Sequence, residues 1–191
     1  MAVKKQWYEI IAPKMFGEKT VGETPAANPK QIIGRTVKVS LMDMSRDFSK
    51  FYLKMLFRIV SVEGSKAYTK FVGHDIMRER VYRMVQRRLR RVDCVQDAET
   101  KDGHTLRVKT VFVLMKRAGT SLKDAARKKC REVVEQSLKE NSLEDAVKLI
   151  ISGELQNKIK KECYKIFPVG NVEIRKSELK EAAEKPAEET A

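Results

Sequence analysis

The sequence is poor in the residues that build metal sites, disulfide frameworks and many catalytic centres. It contains three cysteines, two histidines and one tryptophan among 191 residues. The cysteines, Cys94, Cys130 and Cys163, are odd in number and far apart, which fits neither a disulfide framework nor the close pairs of a zinc site. We therefore predict that all three are reduced packing residues and that the protein binds no metal ion or cofactor.

Long apolar runs are also absent. No stretch approaches the roughly 20 apolar residues that a membrane-spanning helix needs. The opening segment, MAVKKQWYE, lacks the apolar centre of a signal peptide. We expect an intracellular, cytoplasmic protein without a membrane partner.

Catalytic motifs are missing as well. The sequence has no HExxH, no GxSxG and no glycine loop that could cradle a phosphate. His74 and Asp75 are adjacent and His104 follows a turn, but neighbours in sequence need not face one substrate. We expect no enzymatic activity and no small-molecule substrate. We interpret His74 as a residue that caps or orients the start of a helix, with Asp75 near its positive end.

Positive charge is abundant. The formal net charge is +14 and 42% of the residues are hydrophobic, enough for a real core. Such an excess of cations repels itself in a compact state, so a polyanionic partner is the simplest explanation. Nucleic acid is favoured over an anionic membrane.

The apolar periodicity predicts an α+β fold. A period of two runs to about residue 74 and is clearest from Phe51 to Ile59, which indicates a long strand that VEGSK connects to a returning strand, AYTKFVG. RVDCVQDAET and HTLRVKTVFVLMKR resemble a second hairpin closed by KDG. Helices are then expected over 121–139, from Ser142 to a stop at Gly153, and up to Pro168, before a strand in NVEIRKS.

Two segments lack a regular period. Residues 17–34 contain two prolines and three glycines, and we predict a loop that becomes ordered only against a partner. Residues 177–191 are rich in Glu, Ala and Lys and are predicted to be an acidic mobile tail. The expected organisation is one domain over 1–176, strand-rich over 1–117 and helix-rich over 118–176.

The segment MRERVYRMVQRRLRR, residues 77–91, carries seven arginines and one glutamate. A helix over 75–91 would place Met77, Val81, Met84 and Val85 on one inward face. Arg78 and Arg88 would project toward that apolar side, and their stems would pass the core. Five other arginines share a second arc, and guanidinium groups match phosphates bidentately, so we predict a stripe that contacts RNA or DNA, formed by Arg80, Arg83, Arg87, Arg90 and Arg91.

Weaker candidates for RNA contact lie elsewhere. Lys123, Arg127 and Arg131 are spaced four apart on the next helix, opposite its apolar face, although nearby glutamates dilute the charge. Trp7 and Tyr8 either stack on a base or form a hydrophobic clasp near the terminus. The remaining candidates are single cations: Lys128, Lys14, Arg35, Arg175 and Lys176.

Five segments, in order along nearly the whole chain, carry a family resemblance. They are QWYEIIAPKMF (6–16), GRTVKVSLMDMS (34–45), FVGHDIMRERVYRMVQRRLRRVD (71–93), TKDGHTLRVKTVFVLMKR (100–117) and KIFPVGNVEIRKSE (165–178). In these segments the chain resembles the small-ribosomal-subunit protein family of archaea and eukaryotes called S-three-A, or eukaryotic-type S-one. It is more similar to the archaeal members, because the lysine-rich N-terminal extension and basic tail of the eukaryotic ones are missing.

The resemblance implies a structural, non-catalytic role at the platform of the small subunit, near the mRNA exit side. It implies a mixed or antiparallel, β-barrel-like core flanked by basic amphipathic helices. The implied partners are small-subunit rRNA and neighbouring ribosomal proteins, with mRNA as a further candidate. A free RNA chaperone or translational regulator is the alternative, because either would need the same basic surface.

Overall fold

The computed structural model describes residues 5–45 and 47–180. The chain divides into two compact units with a boundary between Met77 and Arg78. Both units contain strands, and the three long helices all follow residue 118, so the α+β class is confirmed. The single-domain organisation stays a prediction.

The first unit is a five-stranded sheet with one short helix. Its strands follow the order β2-β1-β5-β4-β3, in which β1 and β5 are parallel and the other neighbours are antiparallel. No pairing joins β2 to β3 in the described ranges, so this sheet is open and the expected barrel-like closure is not found. The elements are β1 (Gln6–Ile11), β2 (Thr20–Ala26), β3 (Thr36–Ser40), α1 (Leu41–Ser45), β4 (Leu53–Glu63) and β5 (Lys66–Ile76).

Strand β4 shows why the alternating pattern predicts the sheet correctly. Leu53, Met55, Phe57 and Ile59 are buried on one face, and the ring of Phe57 lies 5.4 Å from that of Phe16. A period of two puts alternate side chains on the same face, so these four residues form an apolar surface. Phe51, which we included in this strand, lies before it in a turn and is exposed.

The prediction of an irregular loop over 17–34 is wrong. Strand β2 occupies part of it and pairs antiparallel with β1 from Ala26 to Thr20. An edge strand has one neighbour and needs few apolar residues, and its edge tolerates a proline, so β2 carries little periodic signal. The guanidinium group of Arg35 holds the segment in place by donating to Thr24 Oγ1 (2.8 Å) and to the carbonyl oxygens of Gln31 (3.0 Å) and Pro25 (3.2 Å).

The second unit is a three-stranded antiparallel sheet with helices. Strands β6 and β7 form the predicted hairpin, and Gly103 at its turn has a φ of +75° that favours glycine. Strand β8 pairs with β7 on the other side. The elements are α2 (Arg78–Met84), β6 (Arg90–Glu99), β7 (Thr105–Leu114), α3 (Thr120–Glu140), α4 (Leu143–Ser152), α5 (Glu154–Tyr164) and β8 (Val169–Lys180).

Helices α3, α4 and α5 cover one face of this sheet. Phe112 and Leu106 of β7 are fully buried in a cluster that includes Cys130 of α3, Ile150 of α4 and Ile159 of α5. The predicted helix boundaries are confirmed at α4. Its N-cap, Ser142, accepts a hydrogen bond from the Asp145 N–H at 3.3 Å, and Gly153 follows its last residue with a φ of +88°.

Strand β8 is longer than the sequence pattern indicates. It continues to Lys180, past the residue where we placed the start of the tail, because Ser177 and Leu179 pair with Val108 and Leu106. Ser177 is fully buried. Residues 181–191, the rest of that predicted tail, lie outside the described residues.

The buried ring of Phe112 gives a test of this core. Replacing Phe112 by alanine leaves a cavity where α3 and α5 meet the sheet, so we expect the free energy of unfolding to fall by about 3–5 kcal/mol. Tyr164→Ala on α5 is the matched control, because this exposed ring leaves no cavity and its loss should change stability by less than about 0.5 kcal/mol. Chemical denaturation followed by circular dichroism measures both, and equal losses would contradict the assigned core.

Candidate nucleic-acid interface

The arginine-rich segment is not one helix, so the predicted helix over 75–91 is wrong. Strand β5 continues to Ile76, α2 ends at Met84, and β6 begins at Arg90. Both ends of the segment are part of a β-sheet: Asp75 and Ile76 pair with β4, and Arg90 and Arg91 pair with β7. A pairing with a buried neighbouring strand outweighs the weak intrinsic preference of these residues for a helix.

His74 does not cap the helix. It lies in β5, opposite Met55 of β4, and is only 2% exposed. Asp75 faces Lys54 in the same ladder. Both residues therefore precede α2 as part of the sheet, and the capping interpretation is wrong.

We call residues 78–91 the basic segment. All of its arginines are nevertheless exposed. Three lie on α2, two in the turn at residues 86–89, and two at the start of β6. This includes Arg78 and Arg88. Because an exposed guanidinium group is compatible with a stem that passes the core, the expectation of such a stem stays a prediction for Arg78. The helical wheel misplaced Arg88 because the chain at that position is no longer helical.

Two arginines of the predicted stripe already have a carboxylate partner. Arg80 donates from Nε and Nη2 to Glu173 Oε1 at 3.1 and 3.0 Å. Arg91 donates from the same two atoms to Asp93 Oδ1 at 3.0 and 2.8 Å. Within residues 5–45 and 47–180, Arg78, Arg83, Arg87, Arg88 and Arg90 form no ion pair. Five of the seven arginines between residues 78 and 91 are thus left without a carboxylate partner in the described structure.

The contact of Arg80 with Glu173 holds α2 on strand β8. Glu173 is only 8% exposed, and a buried carboxylate is costly unless a hydrogen-bonded cation satisfies it. Val81 and Met84 on the same helix are buried beside it. Arg80 therefore has a structural task, and its predicted RNA contact stays a prediction.

The turn after α2 presents two arginines at its tip. The Leu89 N–H donates to the Gln86 carbonyl at 3.3 Å, and Arg88 has a left-handed φ of 69°. A residue with a Cβ in this region costs on the order of 1 kcal/mol, and such conformations concentrate at functional positions. The turn places Arg87 and Arg88 next to each other in solvent.

The cation column on α3 lies beside the buried face rather than opposite it. Arg127 pairs with Asp124 and donates from Nε to the Asp93 carbonyl of β6 at 3.1 Å. Arg131 is exposed, and its carbonyl accepts a hydrogen bond from the Gln96 side chain. Leu122, near the start of this helix, is exposed. Lys123 is half-buried and Lys128 is exposed.

The other candidate cations differ in their surroundings. Lys14 and Arg175 are exposed, Lys176 pairs with Glu178, and Arg35 is engaged in the internal contacts described above. The sequence predicts that Trp7 and Tyr8 either stack on a base or form a hydrophobic clasp. Tyr8 is buried in the core of the first unit, whereas Trp7 is 64% exposed. Trp7 therefore keeps a ring face available for stacking.

A second group of charges on the β6–β8 sheet is balanced. Asp97 accepts from Arg107 Nε at 2.7 Å and from Lys180 Nζ at 2.6 Å, and these hydrogen bonds hold the pKa of its carboxyl well below the ordinary value. Lys109 pairs with Glu178 at 3.0 Å. The contrast with the basic segment is clear, because here each of these cations has an acidic neighbour.

The fold brings the three dispersed cysteines into one cluster. Cys94 of β6, Cys130 of α3 and Cys163 of α5 are free and buried in the same core. A hydrogen bond with Cys94 and burial raise the pKa of Cys130, and burial raises the pKa of Cys163 to about 11. Among the described residues, no group of three metal-ligating side chains could hold a metal ion. The thiols fit the predicted packing role.

No helix in the described part of the chain is long and apolar enough to cross a membrane.

The model of the Ribosomal S3Ae family matches residues 2–183. The chain belongs to this family. Its recognition from the five segments is confirmed.

Archaeal relatives agree with the family assignment, and each is named small ribosomal subunit protein eS1. The chain is 42% identical to the Methanopyrus kandleri protein, covering 93% of this chain and 86% of the relative. It is 39% identical to the Methanocaldococcus jannaschii protein, covering 97% and 84%, respectively. The Aeropyrum pernix protein is 38% identical, covering 92% and 84%.

The Arg80–Glu173 contact gives a test that separates structure from binding. Arg80→Ala leaves a nearly buried carboxylate without this partner, so we expect the free energy of unfolding to fall by about 1–3 kcal/mol. Arg83→Ala on the same helix removes an exposed arginine without an ion pair and should change stability by less than about 0.5 kcal/mol. Urea denaturation compares the two, and similar values would show that the contact does not hold α2 in place.

The buried thiols give a test by chemical modification. A raised pKa keeps Cys130 and Cys163 protonated at pH 8, and thiols react as thiolates, so both should be alkylated slowly in the folded protein. Mass spectrometry after iodoacetamide treatment measures each site. The same protein in guanidinium chloride is the control and should react fully. Rapid labelling of Cys163 before unfolding would contradict the assigned burial.

Proposed function

We propose that this protein is a non-enzymatic constituent of the small ribosomal subunit whose basic segment binds the phosphate backbone of rRNA. The family assignment and the name of the archaeal relatives support a ribosomal role. The observation that carries RNA binding is a cluster of exposed arginines without acidic partners among the described residues. We place the protein in the cytoplasm, at the platform of the subunit near the mRNA exit side.

The chemistry of the basic segment favours phosphate. Guanidinium groups bind phosphate oxygens bidentately, whereas an ordinary soluble surface needs no preference for arginine. Arg83, Arg87, Arg88 and Arg90 come from a helix, a turn and a strand, so they present cations in several directions. This arrangement suits the irregular backbone of folded RNA better than a straight stripe along one helix would.

The remaining candidates form a graded set. Arg131, Lys128, Lys14 and Arg175 are exposed and available for secondary contacts. Arg80, Arg91, Arg127 and Lys176 have carboxylate partners, so RNA would have to compete with those pairs. We therefore assign the main contact to the unpaired arginines, with neighbouring ribosomal proteins, and mRNA as a further partner, contacting other surfaces.

Reversing two charges tests the proposal. Replacing Arg83 and Arg87 together by glutamate puts repulsion where attraction is proposed, and neither side chain has an ion pair to lose in the described structure. We expect affinity for purified archaeal small-subunit rRNA to fall at least about tenfold at physiological salt, with a shallower salt dependence. Filter binding over a range of potassium chloride concentrations measures both quantities.

The matched control makes the same change of charge elsewhere. Lys148 and Lys165 are exposed cations that pair with Asp145 and Glu162, so they are already neutralised. Lys148→Glu with Lys165→Glu should leave rRNA affinity within about threefold of the unaltered protein. Circular dichroism checks that both double variants are folded. Equal losses of rRNA affinity in the two variants would show that only the net charge matters, and would overturn the assignment to the basic segment.

Sedimentation tests the ribosomal role itself. In an archaeal extract the native protein should migrate with the small subunit on a sucrose gradient, and ribonuclease should release it. A free RNA chaperone or regulator would remain near the top of the gradient in both samples. That result would overturn the ribosomal assignment even if the binding assay succeeded.

A further inference from the structure

A small recess opens beside the turn of the basic segment. Its volume is about 170 Å³, and its walls come from the second unit alone. One wall belongs to the end of α2 and the turn, and the other to the ends of β7 and β8. The side chains and backbone that form it include Arg83, Gln86, Leu89, Val113, Met115 and Asn171.

Part of the lining of the recess is apolar. Val113 is buried at its base, and Gly170 contributes no side chain. A Cβ atom built at Gly170 would lie 3.6 Å from Met115 Cγ, so a larger side chain there would enter the recess. Met115 is 56% exposed, although methionine normally packs in a core. This surface would gain stability if a flat apolar group covered it.

The rim carries polar groups of a particular kind. Gln86 and Asn171 are exposed, and in the described ranges neither side-chain amide forms a hydrogen bond. An amide offers a donor and an acceptor side by side, which matches the edge of a nucleobase. Arg83 adds a planar guanidinium group, which stacks on aromatic faces.

The surrounding charge selects the class of ligand. Arg87, Arg88 and Arg90 lie in or next to the turn that forms one wall, and none has an acidic partner in the described part of the chain. A ligand that places an apolar plane in the recess and negative charge at its mouth is an RNA nucleotide. The volume is below the roughly 300–1,000 Å³ of pockets for drug-sized molecules, which suits a single ring system.

We infer that the recess receives one unpaired RNA base, with the adjoining phosphates held by Arg87, Arg88 and Arg90. This inference rests on the proposed RNA binding and gives it a point of base contact. Proteins recognise folded RNA largely through bases that leave the stack and rest on aromatic, apolar or guanidinium surfaces. An apolar side chain of a protein neighbour is the competing occupant. Such a side chain would bring no phosphates for the arginines to bind.

The test compares ligands that differ only in their bases. The full chain is titrated with oligoadenylate, oligouridylate and an abasic ribose-phosphate strand of equal length, followed by fluorescence anisotropy at constant salt. Two variants alter the recess without changing charge: Gly170→Phe, which fills it, and Gln86→Ala with Asn171→Ala, which removes its polar rim. The control is Gln136→Ala with Asn157→Ala, which removes two exposed amides of α3 and α5.

We expect the unaltered protein and the control to prefer a base-bearing strand over the abasic strand by about tenfold. Both recess variants should lose that preference and keep the abasic affinity, because the arginines are intact. Circular dichroism checks folding, and the amide variant tests the inference even if Gly170→Phe is unstable.

The outcomes separate the two proposals. If all strands bind with salt dependence but the recess variants keep the preference for bases, the recess inference is overturned and phosphate binding stands. If the variants weaken all three strands equally, the recess does not hold a base. If the unaltered protein binds none of the strands and no rRNA, the proposed function fails together with the inference.

Discussion

The carboxylate of Glu173 lies almost buried on strand β8, and the guanidinium group of Arg80 reaches it from helix α2. A carboxylate in that position needs a donor, so the pair constrains where a short helix can lie. The helix has only seven residues, too few to be stable in isolation, and depends on this contact and on the burial of Val81 and Met84. The geometry of the basic segment follows from this anchor. Because one arginine is used to hold the helix, its neighbours are left facing outward.

The distribution of pairing, more than the total charge, distinguishes the surfaces of this protein. On the sheet of the second unit, Asp97, Arg107 and Lys180 satisfy one another, and Lys109 shares Glu178 with Lys176. Exposed pairs of this kind add little stability, but they cancel the field that a polyanion would meet. The turn at residues 86–89 has no such compensation among the described residues. The arginines of this turn therefore present positive charge that no acidic neighbour in the described part of the chain cancels.

The sequence predicted those parts of the fold in which local pattern and tertiary packing agree. The β6–β7 hairpin, helix α3 and the start of α4 at Ser142 combine a clear period with turn or capping residues. Prediction failed where pairing with a distant strand decided the outcome. Ile76 and Arg90 lie within the sequence period that we interpreted as one helix, but their backbones pair with Leu53 and Leu114, and no local pattern contains that information.

The same reasoning applies to the candidate site. The sequence indicated that arginines in one segment are the candidates for RNA contact. It could not indicate which of them already have a carboxylate partner, because that depends on the positions of Glu173 and Asp93. Arg88 was misplaced because it adopts a left-handed backbone conformation, which sequence patterns normally predict only at glycine. The recess was not foreseen, since one wall comes from α2 and its turn and the other from the ends of β7 and β8, and only the contact of α2 with β8 brings these distant parts of the chain together.

Strand β2 has one further consequence. In the described residues it pairs with β1 alone, so its other side presents backbone donors and acceptors to solvent. Such an edge can recruit a strand from another copy and start aggregation. Pro25 interrupts the edge because it lacks an N–H, and Glu23 places a negative charge beside it. The outer side of β2 is thereby guarded against pairing with a second copy of the chain.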